Sequence, residues 1–184
     1  DSYSCRNDKG NHKAISRLKE FAKKESQNHS RTYYVLKCDV RKFFDSVNQD
    51  ALFSLIEKKL KDKDTLWLIS LIIKSFPKGL PLGNITSQLF ANIYLNELDY
   101  FAKQKLGIKY YIRYCDDFVI LSRNREYLEH LSSLFNKFLS ERLFISLHED
   151  KIIIRKYHQG IDFLGYVVFP YHSLIRNKTK KRMF

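Results

Sequence analysis

At 184 residues, with 44% hydrophobic residues and 12 Tyr and 14 Phe among them, the chain can bury one good core and reads as a single domain. Thirty-three Lys and Arg against 20 Asp and Glu leave a net charge of +13, which favours polyanionic partners: nucleic acid first, an anionic membrane surface second. Three cysteines without CxxC spacing and six scattered histidines exclude a disulfide framework and a structural zinc site, and the apolar run at 66–73 is too short to span a bilayer. A protein of the cytoplasm, without a membrane partner, follows. Because it opens on Asp1 and closes on a basic run, the chain is expected to be part of something longer.

Residues 1–10 are polar and read as a loop or strand end. Ile15, Leu18, Phe21 and Ala22 recur at helical spacing, which predicts a basic amphipathic helix over 12–24. Residues 33–40, mostly apolar and β-prone, predict a buried strand. Leu52, Leu55, Ile56 and Leu60 mark an amphipathic helix. A second helix, 65–76, capped by Asp64, is apolar nearly all round and is therefore expected in the interior. Two prolines and two glycines make 77–83 irregular. Phe90, Ile93, Tyr94, Leu98 and Phe101 define a long helix, followed by a hairpin of 110–114 and 118–121. Leu128, Leu131, Phe135, Phe138 and Leu139 give another helix, and short strands are expected at 144–147, 151–155 and 163–169. The order describes an α+β domain, an antiparallel sheet with helices packed on one face.

The chemistry concentrates at Tyr114-Cys115-Asp116-Asp117, where the hairpin turns. Adjacent carboxylates repel and raise each other's pKa, and a divalent cation relieves both. Oxygen ligands suit Mg²⁺, with Mn²⁺ as the alternative. Asp39, at the end of the first strand, is the candidate third carboxylate; on its own it could equally cap the following segment. If its strand pairs with the hairpin, three acids converge into a site for two-metal phosphoryl transfer. Basic residues at both ends, including Arg176, Lys178, Lys180, Lys181 and Arg182 with no acid after Asp162, fit a nucleic-acid enzyme.

At this point the chain resembles the palm and part of the fingers of a bacterial reverse transcriptase. Residues 35–44 resemble the first aspartate motif, 80–88 the glycine loop, 112–121 the Tyr-x-Asp-Asp hairpin and 147–153 the lysine-bearing segment. Residues 161–166 (Ile-Asp-Phe-Leu-Gly-Tyr) resemble the hairpin that grips the primer, and 2–14 a fingers motif of bacterial members. The run Leu80-Pro81-Leu82-Gly83-Asn84-Ile85-Thr86-Ser87-Gln88 is similar to the reverse transcriptases of diversity-generating retroelements. It departs from the Gln-Gly usual in group II intron enzymes, which implies a looser, more error-prone site.

The resemblance implies RNA-directed DNA polymerisation by a bacterial or phage-encoded protein, with an RNA template, a DNA primer, dNTPs and an accessory protein as partners. It implies partial fingers over 1–34, a palm over 35–170 with fingers elements interleaved around 50–80, and a basic tail, 171–184, leading to a thumb that is absent from the chain, so that the fragment alone is expected to be weakly active. Asp39, Asp116 and Asp117, with the Val40 carbonyl, would be metal ligands. Phe44 would exclude a 2′-hydroxyl, while Leu82, Gly83 and Cys115 would line the nucleotide. Lys151 would protonate the pyrophosphate leaving group, and Arg6, Lys9 and Lys13 would meet the triphosphate. Phe163, Leu164 and Gly165 would position the primer. Each has a plainer reading beside it: Lys151 as a solvated lysine, Gly83 as a turn residue, Phe163 as core. The alternatives of another class are a non-catalytic nucleic-acid-binding module and a defence-type polymerase on the same palm; the intact aspartate trio argues against the first.

Overall fold

The structure, a computed structural model, describes residues 2–183, with Met183 described through its backbone alone; Asp1 and Phe184, the outer ends of the expected fingers segment and basic tail, lie outside the described residues. Helix α1 (Asn11–Glu25) leads into β1 (Tyr34–Asp39), then a short α2 (Phe43–Ser46), α3 (Gln49–Glu57) and α4 (Lys63–Lys74). After an irregular loop come α5 (Ile85–Tyr100), extended by a π-helical turn (Phe101–Lys105), the hairpin β2 (Tyr111–Tyr114) and β3 (Asp117–Ser122), and α6 (Arg125–Leu143). Strand β4 (Ile153–Lys156), the strands β5 (Ile161–Phe163), β6 (Tyr166–Val168) and β7 (Ser173–Ile175), and α7 (Asn177–Met183) complete the chain.

An antiparallel sheet in the order β2-β3-β1-β4 forms the centre, and β5-β6-β7 a smaller second sheet. Because side chains alternate along a strand, each strand serves two layers. Leu36 and Cys38 of β1, Tyr111 of β2, and Phe118 and Ile120 of β3 face the apolar sides of α5 and α6. Val35, Ile112, Val119 and Leu121 face the opposite layer, made by α1 and by Ile161, Phe163 and Val168 of the small sheet. Each large side chain so buried contributes roughly 1.5–3 kcal/mol, and a one-residue slip of β1 would turn Lys37 and Asp39 into the apolar layer under α5 and α6, which is what fixes the register. The α+β class is as expected, with α1 added on the second face.

Four local expectations are corrected. Helix α4 is not interior: Trp67, Leu68 and Leu71 are 65%, 52% and 50% exposed, and only Ile73 is fully buried. Its cap is Asp62, which accepts the Thr65 N–H at 2.8 Å, rather than Asp64. Residues 144–147 form no strand, because Phe144 turns left-handed (φ +52) to close α6 and only Leu147 bridges, to Val40. The run 163–169 is broken by a turn at Leu164–Gly165, so it is two strands of a hairpin.

Candidate active site

Strand pairing decides the geometry. In the β1–β3 ladder Asp39 lies directly opposite Asp117, and Tyr114 closes the β2–β3 hairpin against Asp117, leaving Cys115 and Asp116 as the turn. Directly opposed residues project from the same face, with Cβ atoms about 5 Å apart. The Val40 N–H donates to the Asp116 carbonyl at 3.3 Å, drawing the turn onto the end of β1. Three acids thus occupy one corner of the sheet.

Two lysines balance them. Lys37, two residues before Asp39 and on the same face of β1, lies 3.2 Å from Asp117 Oδ2 and donates to the Asp162 carbonyl at 2.9 Å. Lys151 Nζ lies 2.8 Å from Asp39 Oδ1. Burial pushes the Asp117 carboxyl up to about 7, with Lys37 pulling it down and Asp39 and Asp116 pushing it further up. Asp116 is raised as well, chiefly by burial. The hydrogen bond to Asp39 raises Lys151 and keeps it protonated. Burial pushes the Cys115 thiol up to about 12 and lifts Cys38 too, so neither is a nucleophile.

Among the described residues, no three acid, imidazole or thiol side chains are drawn together into a finished metal cage. The donor set nevertheless fits a hard cation. It consists of carboxylate oxygens, and Asp117 Oδ1 is buried without a hydrogen-bond partner, an acceptor that a cation would satisfy. Lys37 and Lys151 meanwhile supply the positive charge that the acids require.

The turn itself is held under strain. Cys115 has φ +53, a region costly for a residue with a side chain. Its N–H donates to Ser4 Oγ at 3.0 Å, and its carbonyl accepts from Arg113 Nη1 at 2.9 Å. Behind these stand two supports. Ser4 is tied to Asn92 of α5, whose Nδ2 donates to the Ser4 carbonyl at 3.0 Å. Arg113, 1% exposed, makes a two-pronged bond to Asp99 at 2.7 and 2.6 Å, and the Tyr111 hydroxyl donates to the same carboxylate. Sequence reading missed Lys37, Ser4, Asn92, Asp99 and Arg113. The signal for Arg113 was a lone cation inside the run Tyr110-Tyr111-Ile112-Arg113-Tyr114.

Phe44 is half-buried and meets the core residue Phe43 edge-on at 5.3 Å. Leu82 is 76% exposed, and Gly83 (φ +87) has open space where a Cβ would stand, so both are free to meet a ligand. Arg6 lines a cavity of about 390 Å³ with Asn92, Asp99 and Arg113, behind the turn. Lys9 and Lys13 line a different, shallower depression beside α1, Lys9 over the Tyr3 ring. The structure therefore does not gather these three cations at one place. Phe163 is fully buried, while Leu164 and Gly165 form the hairpin tip, and Lys37 joins that hairpin's backbone to Asp117.

Comparison with known proteins bears on this geometry. The family model described as reverse transcriptase (RNA-dependent DNA polymerase) matches residues 2–168. Protein YkfC of Escherichia coli is 24% identical, over 97% of this chain and 56% of its own length. The group II intron-encoded protein LtrA of Lactococcus lactis subsp. cremoris is 25% identical, over 70% of this chain and 33% of its own. The chain thus spans a third to just over half of these relatives. Among solved structures, the telomerase of Candida albicans in complex with a fragment of telomeric RNA superposes with a TM-score of 0.72 at 13% identity, covering 91% of this chain and 34% of that one. The apo telomerase of Candida tropicalis gives 0.69 at 13% identity, over 95% and 37%. At that identity the likeness is one of fold.

Proposed function

Because the chain belongs to the reverse transcriptase (RNA-dependent DNA polymerase) family, we propose that it extends a DNA primer with dNTPs along an RNA template. The observation that carries the reading is the register that sets Asp39 against Asp117 with Asp116 in the adjoining turn. These carboxylates, with the Val40 carbonyl, would hold Mg²⁺ or Mn²⁺, which when bound supplies positive charge to the attacking and leaving oxygens of an in-line displacement. Lys151, protonated and exposed beside Asp39, can deliver a proton to departing pyrophosphate. The ring of Phe44 would crowd a 2′-hydroxyl, favouring deoxynucleotides. Exposed Leu82 and Gly83 would meet the template and the incoming nucleotide, and Leu82 in place of a hydrogen-bonding side chain would loosen base selection. Lys37 gives the hairpin at Leu164–Gly165 a physical tie to Asp117, which suits a primer-positioning element.

The division into partial fingers (1–34), palm (35–170) and basic tail (171–184) belongs to the same proposal. No helix of the described residues is long and apolar enough to cross a membrane. The test is primer extension on poly(rA)/oligo(dT) with Mg²⁺ or Mn²⁺, comparing the protein with Asp116→Asn. Metal-dependent dTTP incorporation that vanishes in the variant is expected; incorporation surviving in the variant would remove the hairpin from the chemistry.

A further inference from the structure

At the other end of β1 from the acids, α1 ends in an unusual turn. Gln27, Asn28 and His29 are consecutively left-handed (φ +51, +59 and +64), a costly backbone for three residues with side chains. Ser26, fully buried, pins it: its Oγ donates to the Ala22 carbonyl and accepts the His29 N–H, both at 2.7 Å. The turn delivers His29 into a ring cluster. His29 meets Tyr171 edge-on at 5.2 Å and lies 6.4 Å from Tyr33, which stacks on Tyr157 at 4.9 Å. Beside it runs a cleft of about 140 Å³, lined by His29, Arg31, Tyr33 and His158 among others, none of them acidic. Tyr33, which lines the cleft, is buried and held in place by Tyr157 stacked on it, whereas Tyr171, against His29, is 83% exposed and Arg31 is exposed.

We propose that this cleft, lined by His29, Arg31, Tyr33 and His158, with the exposed ring of Tyr171 against His29 beside it, binds an unpaired nucleotide of a single-stranded nucleic acid, its base stacked on the accessible rings of His29 and Tyr171 and its phosphate on Arg31. A flat ring system loses little on entering a preordered aromatic cleft, and stacking accepts any base because each has a π-face. The guanidinium matches a phosphate in shape and charge. Tyr33 directly precedes β1, and Asp39 ends it, so the cleft lies about 20 Å from the carboxylates by strand rise. It is a second contact for a strand that passes beyond the chemistry. The proposal extends the nucleic-acid reading above but needs no polymerisation.

Fluorescence anisotropy with labelled rU12, dT12 and a 12-base-pair duplex tests it on the whole chain. Tyr171→Ala, at an exposed position, should weaken single-strand binding about fivefold or more, while Tyr171→Phe, which keeps the ring, stays within about twofold. Arg31→Gln should weaken it more than Lys137→Gln, an equal charge change on the exposed face of α6. A loss on the RNA, the DNA or both supports the site and tells which strand it takes. Tyr171→Ala binding both strands as the parent does overturns the proposal, as does an equal loss on the duplex. Tyr171-dependent binding by a chain whose primer extension survives Asp116→Asn would keep this site while sinking the reading of the hairpin as the catalytic centre.

Discussion

Asp117 shows what a single side chain costs a site. Its carboxyl is raised to about 7 because burial, with Asp39 and Asp116 nearby, outweighs the one ammonium beside it. A carboxyl raised in the folded state favours folding while protonated. That contribution is whole below about pH 4 and is lost as pH rises towards 7. In buffer with chelator, Asp117→Asn, which cannot ionise, should therefore gain on the parent by about 2–4 kcal/mol between pH 4.5 and 8. Urea unfolding at the two values measures it, and parallel pH dependence in the two proteins would refute it. Adding Mg²⁺ at pH 8 should narrow the gap, because only the parent offers a charged oxygen there. Lys37 emerges at the same scale as the residue that holds Asp117 and, through the Asp162 carbonyl, the neighbouring hairpin.

Between residues and whole elements stands the loop 77–83, whose glycines do different work. At Gly79 (φ +64) a Cβ would stand 2.2 Å from the Phe44 carbonyl oxygen and 2.9 Å from the Asp45 backbone, with no flexible side chain to yield. The Leu80 N–H donates to that same carbonyl at 2.7 Å, and Gln49 Nε2 donates to the Phe76 and Gly79 carbonyls. The loop thereby fixes Phe44 from behind. Gly79→Ala should cost about 2–4 kcal/mol, and Gly83→Ala, with open space around it, about 1 kcal/mol. The second variant should stay folded and still lose primer extension, which unfolding curves and the extension assay together resolve; equal destabilisation would place both glycines in packing. These elements also show what the sequence could reveal. Strand β1 and the Asp116–Asp117 hairpin were legible because a short apolar, β-prone run and turn chemistry are local. The exposure of α4 was not, since the pattern Leu66, Trp67, Leu68, Leu71 reports apolarity and not the number of neighbours available to cover it. The strand expected at 144–147 failed because a left-handed Phe144 obeys the helix end before it. The clamp on Cys115 joins Ser4, Asn92, Asp99 and Arg113 across more than a hundred residues, a distance no local pattern spans.

For the molecule as a whole, a charge of +13 sets how any nucleic acid is approached. Exposed Lys178, Lys180, Lys181 and Arg182 in and around α7 sit beyond the small sheet, whose hairpin tip is tied to them by the Arg176 N–H donating to the Gly165 carbonyl at 2.9 Å. Phosphate contacts release counterions, so affinity falls with salt by a slope of about −0.7 per contact on single strands, whereas stacking contributes to affinity without a slope. Replacing those four cations by Gln should therefore flatten the dependence of log K on log salt by up to about 3. Tyr171→Ala should lower affinity at every salt concentration and leave the slope unchanged. Anisotropy titrations between 50 and 200 mM salt separate the two effects. A tail variant with the parent's slope would take α7 out of the nucleic-acid path, and a changed slope in Tyr171→Ala would mean that the aromatic cleft acts through the charges around it rather than through its rings.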